Sequence, residues 1–548
     1  MNGTASASAR SGWLGAWPGA VLLVLSACAA PAAPVTSADA PDADAEVLDN
    51  PPDSAADQPD VATNCDGVVC AGACLPSCPL QASRVPEWAC RCADLTPVPV
   101  GQGLPLGKRL GLSADVPGAG SDQAKAYRTF FFDRLKALGV QVLRPHFLWT
   151  QVEPAQGQFS WAATDAAVDA LVAHDMKTIG LLGYGNPWAS VKGAELGDAY
   201  YPPDDPQTFA AFAGAVAGRY AGKVSAWEVW NEQNAGYRFW KGGPTASGDP
   251  KAYGLLLQAT AAAIRKANPK AQVGYGGLFY LPQVILGAEA FAEASLAAVP
   301  GLGASFDAFA WHPYAVYPPI KPPEFASDGP GLQNFPVDAT ARRLRDLLQA
   351  KGAGAKALWV TELGWPTEAA ISELDHARYL VRSWVLAASE GVEVLCWYTF
   401  MDHPPDSASI IWEQAFGLYR WDGDATDGTL PQPKPAAIAH EALAHWLGPL
   451  GNAGDERPRT TARWQFAFAD KDLVAHVAWD ETVVADQTVP AEFFARPGRN
   501  YRIALATAVP VAEASLPQIV PDAEGRVRFQ VGRTPVYILE RACAGTCP

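Results

Sequence analysis

No run of apolar residues in this sequence approaches the roughly 20 that a helix needs to cross a bilayer, so nothing in it reads as a stable membrane span. Basic charge is scarce as well. Lys and Arg number 41 against 57 Asp and Glu, a formal net charge of -16, and no basic stripe stands out, which argues against nucleic acid as a partner. Residues 29 to 63 lack Lys and Arg altogether while carrying eight Asp or Glu, so half of the imbalance sits there. Almost nothing in that stretch is large and apolar. It cannot bury enough surface to offset the entropy of ordering, which makes it a disordered, self-repelling acidic Ala/Pro linker. The chain as a whole is 49% hydrophobic and 18% charged, an ordinary globular balance. Its 548 residues exceed what one core usually organises, so a main domain of roughly 300 to 350 residues with attachments is expected.

Ahead of the linker, residues 1 to 28 contain Arg10, an apolar segment through Val21 to Leu25, and then Ser26, Ala27 and Cys28, the layout of a secretory signal. The run Leu25-Ser26-Ala27-Cys28 resembles a bacterial lipobox, which implies lipidation of Cys28 after cleavage; ordinary cleavage after Ala27-Cys28-Ala29, a small-x-small site, is the alternative. The expectation is an exported protein, held to the membrane by an N-terminal lipid anchor at the outer membrane or cell surface, or else secreted. Residues 64 to 100 hold Cys65, Cys70, Cys74, Cys78, Cys90 and Cys92, and Cys543 and Cys547 stand near the other end. An even set in an exported chain argues for disulfides whose pairing the sequence does not choose. A zinc knuckle competes with this, but no His sits among these Cys. Cys396, inside the apolar run Val392 to Trp397, reads as a buried free thiol.

From 101 to 450 short β-prone runs alternate with helical patterns. The strands expected are 107–112, 140–144, 178–182, 225–230, 272–275, 306–311, 357–361 and 392–398. Helices are expected over 122–138, 163–174, 206–220, 251–268, 340–351, 374–390 and 433–447. This alternation is the sequence form of an α/β fold of the (β/α)8 TIM barrel type. A doubly wound open sheet is disfavoured because no glycine-rich phosphate loop follows the first strand. Beyond 455 the period changes to two, with strands expected at 463–469, 473–479, 501–506, 526–531 and 535–539, so residues 455 to 548 are expected to form a small C-terminal β-sandwich-like domain.

Two of the strands end in a carboxylate. Trp227-Glu228-Val229-Trp230-Asn231-Glu232-Gln233-Asn234 and Leu358-Trp359-Val360-Thr361-Glu362-Leu363-Gly364-Trp365-Pro366 each run from apolar residues into a Glu and then loop residues. In a parallel barrel the C-terminal strand ends converge on one face, so the two carboxylates can meet across a cleft, as glycoside hydrolysis requires. These stretches resemble the strand 4 and strand 7 signatures of clan A glycoside hydrolases, most closely families 39 and 5. Arg144 in LRPHFLW, the run Trp149 to Trp161, His312 and Tyr314 in AWHPY, and Trp397 stand in the matching order. The resemblance implies that Glu232 is general acid and base and Glu362 the nucleophile, with poly- or oligosaccharide as the bound partner and no metal or organic cofactor. It implies further that Arg144 and Tyr314 keep Glu362 ionised and that Asn231 holds the sugar 2-hydroxyl. Because Asn231 and Glu232 are adjacent yet must both face the site, a bulge or an early strand end is expected there.

Substrate contacts are also expected from His312, Trp149, Trp188 and Trp397, the last as floor of the catalytic subsite, since aromatic faces suit pyranose rings. His312 has no partner at His-x-x-x-His spacing and reads as a hydrogen-bonding residue rather than a metal ligand. Glu228 reads as a structural salt-bridge partner deep in the barrel. Gln233, where the resembling families commonly carry Pro, is expected to change loop shape rather than chemistry. The favoured reading is a monomeric retaining glycosidase. A sugar-binding surface lipoprotein with weak turnover and a transglycosylase using the same site are the alternatives.

Overall fold

The computed structural model of the protein describes residues 101–543 apart from 281–286, 316–321, 325–335, 368–370, 405–413, 422–429, 457–462, 485–486 and 497. It also describes the backbone of a hairpin, Val68–Cys70 paired with Ala73–Leu75. Cys28, the acidic linker, Cys547 and the side chains of the six N-terminal Cys lie outside the described residues. Cys543 is disulfide-bonded, and Cys396 is a buried free thiol. The chain divides into one compact unit of Met1–Leu95 with Asp406–Ile410 and another of Thr96–Pro405 with Ile411–Pro548. All that follows concerns the second.

Its barrel strands are β1 (Leu110–Ser113), β2 (Val142–Arg144), β3 (Lys177–Gly183), β4 (Ala226–Asn231), β5 (Gln272–Phe279), β6 (Ala308–His312), β7 (Ala357–Leu363) and β8 (Val394–Trp397). Each is parallel to its neighbours, and β8 pairs back onto β1, closing the barrel. The second stave is split at Pro145 and resumes as His146–Leu148 against β3. Proline has no N–H to give the ladder, though its carbonyl still accepts from the Leu181 N–H at 2.9 Å. Inside the barrel Val142, Ile179, Ala226, Ala308, Ala310, Trp359 and Cys396 make one apolar cluster. The alternate residues Leu143, Trp227, Val229, Phe309, Trp311, Val360, Leu395 and Trp397 belong to the larger core beneath the helices.

The helices begin where capping residues allow. Ser121, Asp205, Asp249 and Ser372 each accept a first-turn N–H at the start of Asp122–Ala137, Pro206–Arg219, Pro250–Ala267 and Glu373–Ser389, and two of these helices have Pro in their first turn. The helix Ala288–Ala298 was not expected from sequence. It is rich in Ala and buries only Ala288, Phe291, Ala292 and Ser295, so high helix propensity forms it without a broad apolar stripe.

The C-terminal strands are β9 (Gly451–Asp455), β10 (Arg463–Ala469), β11 (Leu473–Asp480), β12 (Val489–Phe494), β13 (Arg499–Leu505), β14 (Gln518–Ile519), β15 (Arg526–Val531) and β16 (Val536–Ala542). Six form an antiparallel sheet in the order β9-β10-β11-β16-β13-β14, and β12 pairs with β15. Phe466, Phe468, Trp479 and Leu539 on one face of the sheet join the barrel's core. Ala478, Val536 and Ile538 pack on Ala491, Val527 and Phe529 of the two-stranded layer. The junction with the barrel is also polar. Buried Arg382, on Glu373–Ser389, bonds Glu324 at 3.0 Å and Glu481, and the Trp479 indole donates to Glu324 at 2.9 Å. The expected boundary near 450 to 455 is thus a change of architecture within one packed unit.

His476 in β11 lies between two carboxylates, Nδ1 2.7 Å from Glu456 and Nε2 3.2 Å from Glu540. Burial opposes charge on the ring, but the carboxylates outweigh it and raise its pKa from 6.5 to about 9. Glu456 is held down from 4.5 to about 2, against its own burial, by the His476 charge and hydrogen bond. A raised folded pKa stabilises fully below the unfolded value, and that part is lost as pH climbs through the folded one. The lowered carboxylate stabilises above its unfolded value and loses its part as pH falls through about 2. Melting temperature is therefore expected to drop across pH 7 to 10, and His476→Gln should flatten that slope; equal slopes in the two proteins would show that the cluster adds nothing.

Candidate active site

The two carboxylates reach the C-terminal rim through local departures from strand geometry. In β4 the alternation fails after Val229: Trp230 has φ +69° and Glu232 φ +49°, left-handed values that cost a non-glycine residue about 1–3 kcal/mol each. Asn231 and Glu232 therefore both face the site, and the Glu232 N–H stays paired with the Gly277 carbonyl at 2.8 Å. In β7 the register against β8 shifts between Val360 and Leu363. Thr361 and Glu362 are brought inward together by that shift.

Arg144 ties the floor together. Fully buried, its guanidinium donates to both oxygens of Glu228 at 2.7 and 3.0 Å, to Asn231 Oδ1 at 2.8 Å, to Ser113 at 3.3 Å and to Glu362 Oε1 at 2.7 Å. Burial alone would weaken its charge, but Glu228 and Glu362 outweigh it, so it is held as a cation. Glu228 occupies the deep structural position expected of it. It also accepts from the Gly277 N–H at 2.8 Å and the Thr361 hydroxyl at 3.2 Å.

Above this floor stand Glu232, His312 and Glu362. His312 is fully buried, with Nδ1 2.9 Å from Glu232 Oε1, Nε2 3.0 Å from Thr361 Oγ1 and Nδ1 4.0 Å from Glu362 Oε2. The Tyr314 hydroxyl donates to Glu362 Oε2 at 3.1 Å. Burial pushes Glu362 toward its neutral form, but the charges of His312, Arg144 and His146 and the Arg144 hydrogen bond hold it below the usual carboxylate range. One ligand atom each from Glu232, His312 and Glu362 lie within 4.8 Å of one another, so the two carboxylates approach at least that closely. That spacing would also admit a metal ion. The Arg144 cation on Glu362 opposes a second positive charge there, and both His312 ring nitrogens already have partners. We therefore read the trio as acid–base machinery.

The structure brings Glu232, Glu362, Arg144, Asn231, His312 and Tyr314 together, and two of the three expected tryptophans are fully buried away from them. Trp397 is fully buried against Trp365 and His376, ring centroids 5.8 and 5.5 Å apart, and cannot floor a subsite. Cys396 points into the barrel, so its neighbour Trp397 points out, and Tyr398 instead packs beside the site on Phe416, which in turn packs on Tyr314. Trp149 is likewise fully buried, among Trp188, Phe209 and Phe212, with its indole donating to Glu153, so it offers no surface to a sugar. Trp188 is half-buried and donates to the Glu153 carbonyl at 3.1 Å. Gln233 is buried and donates to the Gly276 carbonyl at 2.9 Å, a tie that proline could not make.

Other site residues were not foreseen. Asp115 and His146 pair at 3.1 Å, with the Asp115 side chain 63% accessible. Burial works against charge on both, and their mutual attraction overcomes it, raising His146 and lowering Asp115. Tyr184 stacks on Phe239 near both carboxylates; burial first, then Glu362, drives its pKa well up. The signal available for His146 was its place in LRPHFLW, two residues beyond Arg144 on the same stave.

Fold and site define a barrel protein with a paired-carboxylate centre. No family model and no curated protein matches the sequence. Solved structures do match in fold. A family 39 glycoside hydrolase from the gut symbiont Bacteroides cellulosilyticus is 20% identical with a TM-score of 0.60, over 81% of this chain and 83% of that one. A GH39 enzyme from Xanthomonas axonopodis pv. citri is 18% identical, TM-score 0.55, over 80% and 96%. A monomeric β-xylosidase from Caulobacter crescentus is 20% identical, TM-score 0.55, over 82% and 98%. The fold of this chain is thus the (β/α)8 barrel also found in family 39 glycoside hydrolases, with a C-terminal antiparallel sheet region.

Proposed function

We propose that the protein is a retaining glycoside hydrolase acting on a poly- or oligosaccharide, with Glu362 as nucleophile and Glu232 as general acid and base. The approach of the two carboxylates to within 4.8 Å carries this reading. Retaining enzymes hold the pair about 5–5.5 Å apart, whereas inverting ones need about 6.5–9.5 Å to admit a water between them. Ionised Glu362, held by Arg144 and Tyr314, attacks the anomeric carbon while Glu232 protonates the departing oxygen. Glu232 then takes a proton from the water that releases the sugar. With Oδ1 fixed by Arg144, Asn231 turns its amide N–H groups toward a sugar hydroxyl.

Proton NMR of the first-formed sugar should show the anomeric configuration of the substrate. An inverted first product would overturn the reading. A panel of aryl glycosides that includes β-xylosides, the class named for the Caulobacter crescentus protein, would identify the sugar. Transglycosylation through the same intermediate competes with hydrolysis, and product analysis at high acceptor concentration separates them. Sugar binding without turnover would leave the paired carboxylates and their supports with no task.

Export and anchoring are part of the proposal. No helix among the described residues is long and apolar enough to cross a membrane. The support for anchoring is the run ending in Cys28 followed by the acidic linker. The mature protein should partition with membranes, and Cys28→Ser should release or misprocess it. Recovery of a wholly soluble wild type starting after Cys28 would refute anchoring. A monomer is expected on size-exclusion chromatography with light scattering.

A further inference from the structure

We propose that Thr361 is a positioning residue that fixes the tautomer of His312 and thereby the proton of Glu232; this rests on the glycosidase reading above. Both Glu228 oxygens accept from Arg144, at 2.7 and 3.0 Å, and Oε1 also accepts from the Gly277 N–H at 2.8 Å. An ionised carboxylate only accepts hydrogen bonds. The Thr361 hydroxyl, 3.2 Å away, therefore directs its single proton to Glu228. Its oxygen then has only lone pairs left for His312 Nε2 at 3.0 Å, so Nε2 must carry a hydrogen.

A neutral ring with its hydrogen on Nε2 turns a bare lone pair at Nδ1 toward Glu232 Oε1, 2.9 Å away. Two facing lone pairs at that distance repel, so the Glu232–His312 pair keeps a proton between them. That proton sits on the carboxyl when the ring is neutral. It passes to the glycosidic oxygen as the C–O bond breaks, and the hydrolytic water returns one to Glu232. Other groups facing His312 are Glu362, 4.0 Å from Nδ1, and Tyr314, with ring centroids 6.3 Å apart. Arg144 and His146 act in turn on Glu362. From β5 Gly277 approaches, and a Cβ there would collide with the imidazole, while Phe279 is the strand partner of His312.

Without the threonine oxygen, a neutral ring can move its hydrogen to Nδ1 and donate to the Glu232 carboxylate. That stabilises the deprotonated form, so the acid is lost at lower pH. Thr361→Val should therefore lower the basic limb of the kcat/KM profile by about one unit, a tenfold change in proton affinity. At pH 8 the loss should be about tenfold larger for a phenyl glycoside than for a dinitrophenyl one, whose leaving group needs no proton. Thr361→Ser should restore the wild-type limb. Nitrogen-15 NMR of the histidines, with His312 assigned through His312→Gln, reads the tautomer without any turnover. The wild-type ring should show hydrogen on Nε2, and Thr361→Val should move it to Nδ1. A wild-type ring protonated only on Nδ1, or an unshifted basic limb in Thr361→Val, overturns the proposal. If Thr361→Val does not fold, the wild-type tautomer and the Thr361→Ser profile decide. Absence of any glycoside turnover in the wild type would sink the glycosidase reading instead, and the NMR result would stand apart from it.

Discussion

Glu362→Ala is expected to abolish turnover, by about 10⁴-fold or more, and azide should restore it while yielding a glycosyl azide of inverted configuration. In the proposed mechanism the Glu362 carboxylate attacks the anomeric carbon, so without it no covalent intermediate would form. A small anion can enter the vacated space. It attacks the same face once, and one displacement inverts where two retain. The variant should fold, because Arg144 remains paired with Glu228 when Glu362 is gone, so no buried cation is left alone. Mass spectrometry of a trapped fluoroglycosyl adduct on the wild type should label Glu362. A label elsewhere, or azide rescue with retention, would show that Glu362 is not the nucleophile.

Glu232→Ala should behave differently, and the contrast separates the two roles. Loss of the general acid should cost about 10²–10⁴-fold on substrates with poor leaving groups. Dinitrophenyl glycosides should still form the intermediate, because their leaving group departs unprotonated. Release of the sugar then lacks its base, so azide should intercept the intermediate and give a retained glycosyl azide. Uniform loss across leaving groups, or an inverted azide product, would mean that Glu232 does not transfer the proton. His312 alone, 2.9 Å from Glu232, cannot replace it, since it is fully buried behind the carboxylate.

The barrel was legible because its staves are short β-prone runs separated by helices and loop residues. Each expected stave is present, with ends moved by a few residues. The C-terminal strands 463–469 and 526–531 coincide with β10 and β15, because their alternation is clean and turn residues flank them. Gly451–Asp455, Val489–Phe494 and Gln518–Ile519 escaped notice. The first is made of small residues, the second is interrupted by Pro490, and the third is only a two-residue edge.

What the sequence determined by itself was the alternation of strand and helix, the two Glu at strand tips, and the need for a break in alternation at Asn231 and Glu232. Local chemistry suffices for these: apolar runs, caps and turn residues act within a few positions of the chain. Which face each strand turns inward was decided only by closure of the barrel. Trp397 was misplaced because a period of two does not say which alternate residue faces the lumen, and Cys396 took that place. The hydrogen-bond chain from Arg144 through Glu228, Thr361 and His312 to Glu232 likewise joins β2, β4, β6 and β7. Its members meet only because the register of a closed parallel sheet sets them at adjoining levels, and sequence spacing holds no record of that register.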